Sequence, residues 1–222
     1  MRKPFSPRLW VVLGLLASAF AVATPCRAAG TIDIAAARAL PLGTIVTVEG
    51  SVTVPSGDFS SSTFDQGFTL QDHTAGIYVS IAVDLDLAPR RRVRVTGRLA
   101  DNGTGVLTVV PADASAVRIL GRGPTVEPRW LRTASISEAT EGLLVQVVGT
   151  LTGPITLDPP YGMYFHLDDG SGPIRIFVCA STGIDISHLA PGQRVSVTGM
   201  SYQFIDYEVD PRFQSDIRRS ED

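Results

Sequence analysis

Apolar and polar residues alternate along much of this chain with a period of two. In Gly43–Gly50 (GTIVTVEG), Val46 and Val48 are apolar and Thr47 lies between them. This alternation predicts a half-buried strand with the valines inward. It recurs at Phe68 and Leu70, at Ile77 and Val79, at Val93 and Val95, and more loosely over Val106–Val110. A second set follows: Val145 and Val147 around an outward Gln146, then Phe165 and Leu167, Ile174 and Ile176, Val195 and Val197, and Tyr207–Val209. Two stretches break the pattern. Leu9–Ala23 (LWVVLGLLASAFAVA) is apolar and uncharged, and Leu120–Trp130 (LGRGPTVEPRW) has the Gly and Pro content of a linker. Between the third and fourth strands of each set a connector ends in Leu-Ala-Pro. A turn of helix is predicted there, ended by Pro89 or Pro191.

The two sets are copies of one another. GTIVTVEG matches GLLVQVVG (Gly142–Gly149), FTLQD (Phe68–Asp72) matches FHLDD (Phe165–Asp169), and LAPRRRVRVTG (Leu87–Gly97) matches LAPGQRVSVTG (Leu189–Gly199) at eight of eleven positions. The offsets are 99, 97 and 102 residues, a period that fits a duplicated domain and is too long for a solenoid repeat. Five short strands in roughly 90 residues predict a small Greek-key barrel, whose closure leaves few free edges. A pair of immunoglobulin-like sandwiches is the alternative, but it needs about seven strands per domain. The expected organisation is all-β: a signal peptide over 1–28, a first barrel over 29–119, a linker over 120–130 and a second barrel over 131–222.

The signal peptide is read from Arg2, Lys3 and Arg8, the apolar run, and the small residues after it. Cleavage is expected after Ala23 or Ala28. The run is shorter than the ~20 residues a membrane helix needs, so no membrane span is expected in the mature chain. Ala23-Thr24-Pro25 before Cys26 is a poor lipobox. The expected location is therefore outside the cytoplasm, periplasmic or extracellular.

Removing that segment changes the charge. The whole chain has 19 Lys and Arg against 22 Asp and Glu; residues 1–28 hold Arg2, Lys3, Arg8 and Arg27 and no acid, leaving 15 cations, 22 acids and a net charge of −7. Such a balance argues against nucleic-acid binding over the whole surface and leaves room for a local basic patch. Lys3 is the only lysine, and Cys179 is the one cysteine beyond the signal, so no internal disulfide forms.

The order G-x-x-V-x-V-x-G (Gly142–Gly149), F-x-L-x-D-x-x-G (Phe165–Asp169 and on to Gly172 through Ser171) and L-x-P-G-x-x-V-x-V-x-G (Leu189–Gly199) resembles the OB-fold nucleic-acid-binding domain. It looks most like the anticodon-binding type and the relatives attached to secreted bacterial nucleases and phosphoesterases. The resemblance covers both halves and implies two tandem five-stranded OB-fold barrels. The first copy departs from it with His73-Thr74-Ala75-Gly76 in the turn and Arg90 where the second has Gly192.

In OB-folds the outer face of strands two and three forms the usual groove. If Asp169–Gly172 is a four-residue turn, Asp168 lies opposite Pro173, His166 opposite Arg175, and Tyr164 opposite Phe177. Alternation then gathers Tyr164, His166, Arg175 and Phe177 on the outer face, a set suited to stacking bases or sugar rings. Packing of Tyr164 and Phe177 under the loop holding Pro159, Pro160, Tyr161 and Met163 is the alternative. The first copy offers Gly67, Thr69, Tyr78 and Ser80, of which Tyr78 is the candidate. A second candidate patch is the arginine run Arg90–Arg98, with Arg92 and Arg94 outward and Arg194 its counterpart in the second copy; arginine grips phosphate with paired donors. Its alternative role is to block edge pairing.

No catalytic motif is present: no G-x-S-x-G, H-E-x-x-H or P-loop. His73, His166 and His188 lack metal-ligand spacing. Asp168 and Asp169 are expected to shape a turn, Asp84-Leu85-Asp86 is an incomplete calcium loop, and Cys179 is expected to be a structural thiol. The sequence thus predicts a non-catalytic binding protein without cofactor or metal. Its expected partner is single-stranded nucleic acid, or alternatively an envelope protein or glycan.

Overall fold

The computed structural model describes residues 30–220; the expected signal peptide lies outside the described residues. The first copy begins with a short helix, α1 (Ile34–Arg38). It continues through β1 (Ile45–Val54), α2 (Ser60–Thr63), β2 (Phe68–Gln71), β3 (Gly76–Val79), β4 (Arg91–Asp101), β5 (Leu107–Pro111) and β6 (Val117–Arg122). The strands follow the order β1-β2-β3-β5-β4, and β4 returns to β1, so five strands close into a barrel. The β3–β5 pairing is parallel. The second copy contains β7 (Arg129–Trp130), β8 (Leu144–Leu151), β9 (Thr156–Asp158), β10 (Gly162–Asp168), β11 (Pro173–Cys179), β12 (Arg194–Phe204), β13 (Asp206–Asp210) and β14 (Ile217–Arg219). It closes as β8-β10-β11-β13-β12-β8, with β11–β13 parallel. Both barrels have the five-stranded connectivity of the OB-fold.

The alternation places the cores. Val46, Val48, Phe68, Leu70, Ile77, Val79, Val93 and Val95 are all buried in one cluster. Their counterparts Val145, Val147, Phe165, Leu167, Ile174, Ile176, Val195 and Val197 are buried in another. The glycine ending each V-x-V-x-G motif has a steric cause. A Cβ at Gly97 would lie 2.7 Å from the Val110 carbonyl oxygen, and one at Gly199 2.5 Å from that of Asp210, so the fifth strand can approach only bare backbone.

Several details differ from expectation. The connector before β4 forms no helix, and in the second copy only the 3₁₀ turn Ala180–Thr182 follows β11. Besides α1, the first copy has its helical turn, α2, in the Ser-rich stretch before β2. Each barrel carries an extra strand, β6 on β4 and β14 on β12. Strand β6 runs through Arg122, and β7 begins at Arg129 beside β8.

The barrels are docked face to face. Val54, Phe59, Tyr78 and Val106 of the first form one buried cluster with Phe177, Cys179, Met200 and Tyr202 of the second. Polar contacts reinforce this seam. The buried Glu141 takes Arg38 Nη2 at 3.0 Å and the Leu107 amide at 3.2 Å, while Gln71 takes the Leu144 amide at 2.8 Å. Arg212 donates to the Thr53 carbonyl at 2.6 Å. Gly76 and Gly142 bring bare backbone together: a Cβ on Gly142 would stand 2.6 Å from the Gly76 carbonyl carbon.

Candidate functional site

The hairpin register is Tyr164 opposite Phe177, His166 opposite Arg175 and Asp168 opposite Pro173. The turn is fixed by its aspartates. Asp168 accepts the amides of Gly170 and Gly172, and Asp169 accepts the Ser171 amide and the Thr133 hydroxyl. Those bonds, the Ser171 hydroxyl foremost, draw the Asp169 carboxyl down to about 2.

The four outward side chains do gather on one face, but that face is not open. Phe177 is 4 % exposed and Tyr78 is 3 % exposed, because the seam covers both. Neither can stack a base. Arg175 is also engaged: its guanidinium lies 4.3 Å over the Tyr164 ring and 4.9 Å over Phe177. Its Nε is 3.2 Å from Glu208 Oε2, off the hydrogen-bonding direction, and its Nη2 is 3.8 Å from Asp158. His166 remains exposed, edge-on to Tyr164. Partial burial and the Arg175 charge lower its basicity. Tyr78 donates to Asp65 Oδ1 at 2.6 Å and meets Tyr202 edge-to-face at 6.4 Å. Burial first, and Asp65 second, push its phenol well above the usual range.

Where the two faces meet, a cleft of about 520 Å³ remains open. Among the described residues its walls carry Asp65, Asp101, Asp158 and Glu208 against one cation, Arg175. Sequence reasoning missed the acids of β13. Glu208 sits beside the fully buried Asp210, neither of whose carboxylate oxygens has a hydrogen-bond partner among the described residues. Burial drives both up, Glu208 to about 7, with Arg175 opposing.

The arginines occupy a different surface. Arg92 and Arg94 both reach Glu49 on β1; Arg94 contacts Oε2 at 2.9 Å and Arg92 pairs with Oε1. Arg194 lies exposed at the start of β12 on the other barrel. The structure adds β6 to the patch. Arg118 lies directly opposite Arg94, and Arg122 opposite Arg91. Residues 90–132 hold nine arginines and only three acids, Asp101, Asp113 and Glu127. None of Arg90, Arg91, Arg118 or Arg122 has a carboxylate within 4 Å among the described residues.

Cys179 is buried, with Sγ 3.1 Å from the Ser62 hydroxyl. Burial and Asp210 push its thiol far up, so it is no nucleophile. Asp33, Asp72 and His73 bring ligand atoms within 4.8 Å of one another. Asp72 is spent on structure, however, accepting the amides of Ile34, Thr74 and Ala75 and the Thr74 hydroxyl. That leaves one exposed acid and one histidine, fewer than a zinc site needs. Among the described residues no helix is long and apolar enough to cross a membrane.

No protein-family model matches the chain, and no curated protein matches it. Solved structures do resemble it. A murine DNA-binding protein bound with double-stranded DNA is 13 % identical over 78 % of this chain and 97 % of its own, with a TM-score of 0.40. The p204 HINb domain is 14 % identical over 76 % and 93 %, with a TM-score of 0.39. An OBody bound to hen egg-white lysozyme is 18 % identical over 44 % and 100 %, with a TM-score of 0.36.

Proposed function

We propose that this is an exported, non-catalytic protein that binds single-stranded nucleic acid across the arginine face of its first barrel. The observation that carries the reading is Arg90. It sits at φ 70°, left-handed, where the second barrel uses Gly192 at φ 87°. The two turns are equivalent: the Arg90 amide donates to Val52, and that of Gly192 donates to Leu151. A side chain in that conformation costs about 1–2 kcal/mol, and backbone strain of this kind marks functional positions. The like-charge pair Arg91–Arg122, opposite one another on β4 and β6, is a further cost in an isolated sheet. A chain of phosphates would offset both.

Four arginines without carboxylate partners, each meeting one phosphate, give a logarithmic salt slope of about −3 on a single strand. Fluorescence anisotropy with labelled single-stranded DNA and RNA at low and moderate salt measures it. The Arg118→Ser/Arg122→Ser double variant is expected to flatten the slope by about 1 or more. Arg90→Gly is expected to bind more weakly while being no less stable. Absence of binding at low salt refutes the reading.

A second reading, docking of an envelope protein, is favoured by β6 itself. Among the described strands it pairs only with β4, and Ile119 and Leu120 on it are exposed. A free, partly apolar edge can accept a partner strand. Recovery of a partner from envelope extract, unchanged by nuclease, supports this second reading; loss of recovery on nuclease treatment returns the argument to nucleic acid.

A further inference from the structure

The cleft between the barrels has the opposite chemistry from the arginine face. Four carboxylates line it and one guanidinium, and Arg175 is already held by Glu208, Asp158 and two aromatic rings. Asp65 accepts the Tyr78, Ser80 and Thr63 hydroxyls and the Gly67 amide, which fix its carboxyl group at the cleft wall. The cleft therefore carries a surplus of negative charge inside low-dielectric walls, where fields are concentrated. Phosphate would be repelled from it.

Three observations point to an occupant. Glu208 is 2 % exposed, lines the cleft, and its Oε2 has no hydrogen-bond partner among the described residues. Its ion pair with Arg175 is off the hydrogen-bonding direction, so a buried lone pair there still lacks a donor. Phe64 is the second. It is the C-cap of α2, held left-handed at φ 59°, and yet it is 76 % exposed. A glycine or asparagine would take that position more readily. The ring does no core work; it stands at the cleft edge-to-face with Tyr161 of the other barrel, 5.7 Å away. The third is Phe204, another exposed ring lining the same opening. Aromatic faces beside carboxylates are the chemistry that holds organic cations. The volume is within the range of small-molecule sites.

We infer that the cleft binds a small organic cation, with its ammonium or guanidinium head among Asp65, Asp101 and Glu208 and its stem against Phe64 and Tyr161. The site is separate from the arginine face and stands or falls independently of it. Acceptors outnumber free donors along these walls, so a neutral sugar, which needs both, fits less well.

Isothermal titration calorimetry of the mature chain tests this with spermidine, arginine and choline as cations, maltose as the neutral control and glutamate as the anion. At least one cation is expected to bind, with maltose and glutamate silent. Phe64→Ser is expected to weaken that cation about three- to fivefold, the worth of about one stem methylene packed on its ring. Asp101→Asn, at an exposed rim position, is expected to weaken it further and to abolish part of its salt dependence. Circular dichroism confirms that both variants fold. The inference is overturned if no cation binds, if maltose or glutamate binds as tightly, or if both variants bind the cation as the parent does.

Discussion

Gly76→Ala is the cleanest test of the seam. Gly76 has no left-handed backbone, so alanine meets no torsional obstacle there. The obstacle is the other barrel. An added Cβ would stand 2.8 Å from the Leu143 nitrogen and closer still to the Gly142 carbonyl, where carbon contacts normally settle near 3.5–4.0 Å. Both neighbours are backbone and cannot rotate away, so the barrels must separate by ~1 Å or more. That shift loosens the packing of Tyr78, Phe177, Met200 and Tyr202 and stretches the Gln71–Leu144 and Glu141–Leu107 bonds. Overpacking and the partial loss of these bonds together cost about 2–4 kcal/mol. For a chain of this length each kcal/mol lowers Tm by about 2–4 °C, giving a fall of roughly 5–15 °C. Differential scanning calorimetry is the assay. The parent is expected to melt in one transition and Gly76→Ala in two, as the barrels uncouple. A single transition at the parent's Tm would refute the claim that these glycines hold the barrels together.

Other outcomes follow from the same interior. Phe177→Ala is expected to cost about 3–5 kcal/mol in urea denaturation, because the ring is a buried seam residue; a loss of ligand without a loss of stability would contradict that placement. Stability is also expected to fall between pH 5 and pH 8. Glu208 is raised from 4.5 to about 7 in the folded state, so the folded protein holds more protons than the unfolded one across that window. Its carboxylic acid is tolerated below the window and its buried carboxylate is costly above it. Asp58, raised to about 6, acts in the same direction. Glu208→Gln should show a shallower fall in Tm over this range; an equal fall would assign the effect elsewhere. Cys179 should resist a thiol reagent in the native protein and react fully once the chain is unfolded, and rapid native labelling would contradict its burial.

Much of each barrel was legible because alternation reports directly on which side of a strand is dry. The pairs Val46/Val48 and Val195/Val197 could be placed without any tertiary information, and the duplication doubled the signal. The Tyr164–Phe177 register was legible from the length of one turn. What alternation cannot report is what covers the other side. Phe177 and Tyr78 stand at outward positions whether that face meets water or a second barrel. Sequence reading therefore took a seam for an open groove. Glu208 and Asp210 were hidden for the same reason: they alternate with the inward Tyr207 and Val209 on β13, and an outward carboxylate reads as solvent-exposed. The strands β6 and β14 escaped because edge strands such as Val117–Arg122 carry exposed residues on both faces.

The separation of charge has a practical consequence. Arg90, Arg91, Arg118 and Arg122 stand without carboxylate partners on or beside β4 and β6, while Asp65, Asp101, Asp158 and Glu208 line the cleft, so patches of opposite sign lie apart on one net anion. It should orient itself near any charged surface and present a different face to each sign. A cation-exchange resin at low salt should retain it despite its acidic isoelectric point, and an anion-exchange resin should retain it too. Two molecules should also attract one another, arginine face to acidic face, in a contact that dissolves with salt.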